Sequence, residues 1–115
     1  IAKIYDKNLS KISNVKIPKI RKNFKCIYNN YVIRVPSRER NKLRKYLFNN
    51  NIQTNIHYPR PITDLKIYKS FTNSKKIYKF TEIYKKEIIS IPMHPFLKFS
   101  EVKKICNNIY KYFTK

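Results

Sequence analysis

A chain of 115 residues has room for one small domain, with a core just large enough to fold alone. Its formal net charge of +21 comes from 27 Lys and Arg set against 6 Asp and Glu, and it contains no glycine and only two cysteines. This composition excludes a glycine-built phosphate loop and a disulfide framework, and no apolar run approaches the roughly 20 residues that a membrane span needs.

The chain opens at Ile1 within a helical pattern, Ile1, Ile4, Tyr5, Leu9 and Ile12 forming one apolar stripe. Such a start predicts the tail of a longer helix, and hence a piece of a longer protein. Ser13-Asn14 breaks the pattern, Val15 to Pro18 reads as a short extended piece, and Lys19 to Lys25 as an exposed basic loop. Tyr31, Ile33 and Val35 alternate with Val32 and Arg34, which predicts a core strand over 28–35 ended by Pro36. Ser37 is the expected N-cap of a helix over 38–49 with Leu43, Tyr46, Leu47 and Asn50 facing inward. Asn49-Asn50-Asn51 closes it, because asparagine tolerates the left-handed conformation of a helix stop.

Ile52 to Tyr58 alternates strictly, with Ile52, Thr54, Ile56 and Tyr58 on one face and Gln53, Asn55 and His57 on the other. Pro59 and Pro61 then force the chain out of the sheet, which leaves an imidazole at a strand exit. Thr63-Asp64 is expected to cap a short helix through Tyr68, and 70–76 reads as a polar loop. Ile77, Phe80, Ile83, Tyr84, Glu87 and Ile88 mark a third amphipathic helix, Ile88-Ile89-Ser90-Ile91 a short strand before Pro92, and Ser100 the cap of a last helix with the stripe Val102, Ile105, Cys106, Ile109 and Phe113. The alternation predicts a small layered α/β domain over 1–115, a sheet of about three strands with helices packed on one face.

Lys, Ile, Asn, Tyr, Phe and Leu, all encodable by A and T alone, dominate the chain, whereas Ala occurs once, as Ala2. The lysines are scattered rather than blocked, so codon drift accounts for the charge better than a selected nucleic-acid surface. A small basic nucleic-acid-binding module nevertheless stays as the rival reading. Cys26 and Cys106 are expected to be buried or bystander thiols with no metal role. The six acidic residues form no close pair suited to acid-base work. His57 is the best functional side chain, His94 reads as a loop residue, and nothing suggests export.

Five segments in order, IAKIYDKNL, VKIP, IYNNYVIRV with SRERNKLRKYL, NIQTNIHYPRPI, and EIISIPMHPFLKFSEVKKI, resemble the C-terminal portion of the DegT/StrS sugar aminotransferases, pyridoxal-phosphate enzymes of fold type I. The resemblance implies that residues 1–12 end an interdomain helix and residues 13–115 form the C-terminal domain of a cytoplasmic homodimer. That enzyme would move an amino group from a donor such as glutamate onto a nucleotide-linked keto sugar. It also implies substrate contacts at His57 and Tyr58, and more loosely at Asn29. The lysine that bonds pyridoxal 5'-phosphate belongs to an N-terminal domain absent from this sequence. The chain alone would then bind no cofactor covalently, and a non-functional remnant of such an enzyme is a further alternative. Two positions depart from the family pattern: Thr63 stands where many members have a second histidine, and Asn51 stands for a glycine.

Overall fold

The structure is a computed structural model that describes residues 1–68 and 78–114. Among the described residues four α-helices and two strands form: α1 (Ala2–Leu9), β1 (Tyr31–Arg34), α2 (Ser37–Asn49), α3 (Lys79–Glu87), β2 (Ile88–Ile91) and α4 (Phe99–Phe113). The strands pair antiparallel, with Tyr31 opposite Ile91 and Ile33 opposite Ile89. Those four side chains share one face of the sheet and are buried beneath Tyr5 and Leu9 of α1, Leu43 and Leu47 of α2, and Val102, Ile105, Cys106 and Ile109 of α4. Every one of these helical residues lies on a stripe read from the sequence, so burial of one face sets where α1, α2 and α4 dock.

Polar contacts fix the docking angle. The Tyr5 hydroxyl donates to the Pro92 carbonyl at 2.7 Å, the Tyr31 hydroxyl donates to Asp6, and the two rings meet at 4.8 Å. Across the layer, the Tyr112 hydroxyl of α4 donates to Glu39 of α2 at 2.8 Å. Ile12 and Val15 remain in the core through turns rather than helix, since α1 stops at Leu9.

Two extended segments add single rungs to the sheet. Lys16 pairs with Arg34 on the outer side of β1, and Asn55 pairs with Ser90 on the outer side of β2. The strand expected over 52–58 is therefore one bridge at the sheet edge. That rung, made of the Asn55 amide to Ser90 carbonyl bond at 3.0 Å and the Ser90 amide to Asn55 carbonyl bond at 2.8 Å, has no neighbours for a covalent and a local reason. The rung toward Gln53 would need an amide from Pro92, which has none, and the rung toward His57 would need that of Ile88, which instead caps α3 on the Tyr84 carbonyl.

Helix starts also moved. Pro36, not Ser37, is the N-cap of α2, and Lys98, not Ser100, that of α4; neither serine side chain caps. At α4 the Glu101 carboxylate reaches back to accept the Lys98 amide at 2.8 Å. The stop of α2 is as read: Asn51 has φ 59°, and the Ile52 amide closes on the Leu47 carbonyl at 2.9 Å. The strand over 28–35 shortens because Tyr28 also takes positive φ, 46°. The short helix after the prolines is two 3-10 turns, Ile62–Asp64 and Lys66–Tyr68. Ile77 and the polar loop over 70–76 lie outside the described residues, and no residue of α3 is buried.

Candidate functional site

The single rung at Asn55 and Ser90 places His57. Two residues beyond Asn55 on the same side, its imidazole sits half-buried between two partners: Nδ1 lies 3.0 Å from the Ser90 hydroxyl, and Nε2 lies 3.1 Å from the Asn55 side-chain nitrogen. Ser90 is the one buried polar residue among those described. The His57 ring thus stands at the sheet edge, outside the apolar core. The peptide joining it to Tyr58 is cis.

Tyr58 turns outward, 76% exposed, with its ring edge-on to the imidazole at 5.8 Å. It forms one wall of an open, largely apolar bowl of about 620 Å³ with Pro59, Arg60, Pro61, Ile62 and Leu65. Behind the bowl, Lys85 of α3 donates to Asp64 at 3.0 Å and to Glu82 at 2.8 Å, which clasps the first 3-10 turn to α3. Arg34 braces the other side of α3, held by Glu87 at 2.8 and 3.0 Å and lying 3.6 Å over the Tyr84 ring.

Asn29 lies elsewhere. It is exposed and lines a separate pocket of about 560 Å³ with Tyr28, Met93 and His94. In the antiparallel register Asn29 falls near Met93, just past β2, and His57 near Ile88, roughly 16 Å apart along the strand direction at about 3.3 Å per residue. His57 and Tyr58 are brought together, and Asn29 is not brought to them. His94, read as a loop residue, is exposed and borders both the Asn29 pocket and a second one of about 400 Å³ with Glu101 and Lys104.

Sequence reasoning placed Asn55 on the His57 face but gave it no role, and passed over Ser90. The available signal was that Ser90 is the lone polar residue in an apolar run of four.

The cofactor-bonding chemistry of an aminotransferase needs a lysine whose amine can lose its proton, as burial in an apolar site would allow. Among the described residues Lys85 is the only lysine that is partly buried rather than exposed. Its hydrogen bonds to Glu82 and then Asp64 raise its pKa, the opposite of what that bond requires. These residues do not fit a covalently held pyridoxal phosphate. The described residues also hold no group of three or more His, Cys, Asp or Glu able to bind a metal.

An antiparallel sheet with α1, α2 and α4 packed on one face is an arrangement found within solved sugar aminotransferases. A crystal structure of a DegT DnrJ EryC1 StrS aminotransferase from Brucella abortus superimposes with a TM-score of 0.88 over 99% of this chain and 30% of its own, at 25% identity. DesV of S. venezuelae, solved in complex with a ketimine intermediate, gives 0.90 over the same shares at 18% identity. In sequence, the chain is 28% identical over 98 residues to the dTDP-3-amino-3,6-dideoxy-alpha-D-galactopyranose transaminase of Aneurinibacillus thermoaerophilus, covering 85% of this chain and 26% of that protein. The profile of the DegT/DnrJ/EryC1/StrS aminotransferase family matches residues 1–110, and the chain belongs to that family. It spans less than a third of the length of these relatives.

Proposed function

We propose that this chain forms the C-terminal domain of a pyridoxal-phosphate-dependent aminotransferase, contributing the wall that holds a nucleotide-linked keto sugar. Residues 1–12 then end an interdomain helix, residues 13–115 make the domain, and the working enzyme is a cytoplasmic homodimer. His57 and Tyr58 face the sugar nucleotide at the exit of the edge segment, and Asn29 serves a second, separate contact. The observation that carries this reading is the family match over 1–110, joined to a relative whose named activity is transamination of a dTDP-linked sugar.

The cofactor bond is assigned outside these residues, since Lys85 is held as a cation and the other described lysines are exposed. To test this, the chain is incubated with pyridoxal phosphate, reduced with borohydride and mapped by peptide mass spectrometry. Sparse labelling spread over many exposed lysines is expected. One lysine labelled to near completion would contradict the assignment.

A further inference from the structure

Both ring nitrogens of His57 are engaged within the protein, which changes what this edge can offer a ligand. The chain of donors and acceptors can be followed atom by atom. The Ile56 amide donates to Asn55 Oδ1 at 2.8 Å, so the carboxamide oxygen is turned toward the backbone and the nitrogen toward the imidazole. A carboxamide nitrogen only donates, so His57 Nε2 must accept at 3.1 Å. The neutral ring then carries its proton on Nδ1 and gives it to the Ser90 hydroxyl at 3.0 Å. Ser90 is buried on β2 and its backbone pairs with Asn55 in both directions, so the relay starts from a fixed point and returns to the same residue.

The Asn55 nitrogen has two hydrogens, and one is used on His57. The second has no partner among the described residues, and Asn55 is exposed. We infer that Asn55 is a specificity-determining residue of this site, its free N–H donating to an acceptor oxygen of the bound sugar nucleotide, with His57 and Ser90 as the residues that aim it. This rests on the reading that the His57 edge faces the substrate. The chemistry wanted from the ligand is an sp³ hydroxyl or a phosphoryl oxygen, either of which accepts such a bond.

Two measurements on the 115-residue chain test the assignment. The first is a two-bond ¹H–¹⁵N spectrum of the imidazoles. The His57 proton is expected on Nδ1 in the wild type, with a mixed tautomer in Asn55→Ala and in Ser90→Ala while the amide spectrum of the core stays unchanged. A proton on Nε2 in the wild type would overturn the relay.

The second is calorimetric titration with dTDP and with a dTDP-linked hexose. Asn55→Ala, and the size-matched Asn55→Asp that removes the donor, should each weaken binding roughly tenfold, the worth of one directed hydrogen bond. Ser90→Ala should weaken it by less. A loss shared by both probes assigns the acceptor to the diphosphate, and a loss confined to the hexose assigns it to a sugar hydroxyl; either supports the proposal. Wild-type affinity in both Asn55 variants overturns it while leaving the substrate reading intact. A wild-type chain that binds neither probe removes that reading and the proposal together.

Discussion

Ser90 and Cys106 show how burial decides the role of a single side chain. Ser90 is buried with its hydroxyl on His57, so its polarity is used, whereas the Cys106 thiol lies in the apolar layer and burial pushes its pKa up to about 11. Burial, then the hydrogen bond to Glu39, likewise pushes Tyr112 up to about 12, and burial raises Tyr5 and Tyr31 as well. A folded-state pKa above the unfolded one favours the folded state at lower pH and withdraws that support as pH rises. The chain should therefore hold its stability to about pH 9 and lose it progressively above, with Cys106 alone contributing on the order of 2 kcal/mol. Denaturant midpoints measured from pH 8 to 11 check this, and Cys106→Ala should flatten the decline; a midpoint that rises with alkali would refute it. Thiol labelling at pH 8 should find exposed Cys26 and miss Cys106 until the chain unfolds. The sequence disclosed His57 and its shared face with Asn55, but not their pairing with Ser90. That contact joins positions 33 apart, and spacing along a chain carries no information about it.

Among the elements, the amphipathic stripes of α1, α2 and α4 were readable because each buries the residues its 3.6-residue period selects. Boundaries were harder, for reasons that can be named. The expected strand over 52–58 collapsed to one rung because Pro92 and the α3-capping amide of Ile88 remove its neighbours, and only the proline half of that is written in the sequence. The sequence points to Ser100 as the cap of α4, yet it is the Glu101 carboxylate that accepts the amide of the N-cap, Lys98. Consequently Glu101→Ala should cost about 0.5–1 kcal/mol in chemical denaturation while Ser100→Ala stays near neutral; equal costs would restore the serine. At the end of α2, Asn51 occupies a left-handed position that glycine takes without a side-chain clash. Asn51→Gly should therefore leave stability equal or higher by up to about 1 kcal/mol, whereas Asn51→Val should lower it by 1 kcal/mol or more. Thermal melts of the pair decide it, and a stabilising valine would contradict the assigned backbone.

For the molecule as a whole, charge and exposed apolar surface point in different directions. The Lys19, Arg21, Lys22 and Lys25 segment is exposed, as read from the sequence, and no helix among the described residues is long and apolar enough to cross a membrane. If the charge of +21 reflects drift, affinity for duplex DNA measured by fluorescence anisotropy should be weak, and neutralising those four side chains should lower it only in proportion to charge. Abolition by those four changes would favour a nucleic-acid module. Phe80 on α3 is 68% exposed and Ile67 72%, apolar surface set apart from the basic segment. Family and layer order could be read from residue order; the separation of Asn29 from the His57 edge could not, because it depends on the β1/β2 register. A sugar nucleotide, if held at the His57 edge as proposed, would leave its mark on the residues there. In a ¹H–¹⁵N titration of the labelled chain with a dTDP-linked hexose, the largest shifts should fall on Asn55, His57, Tyr58 and the bowl to Leu65, and shifts confined to the Lys19 to Lys25 segment or spread evenly over the lysines would contradict it.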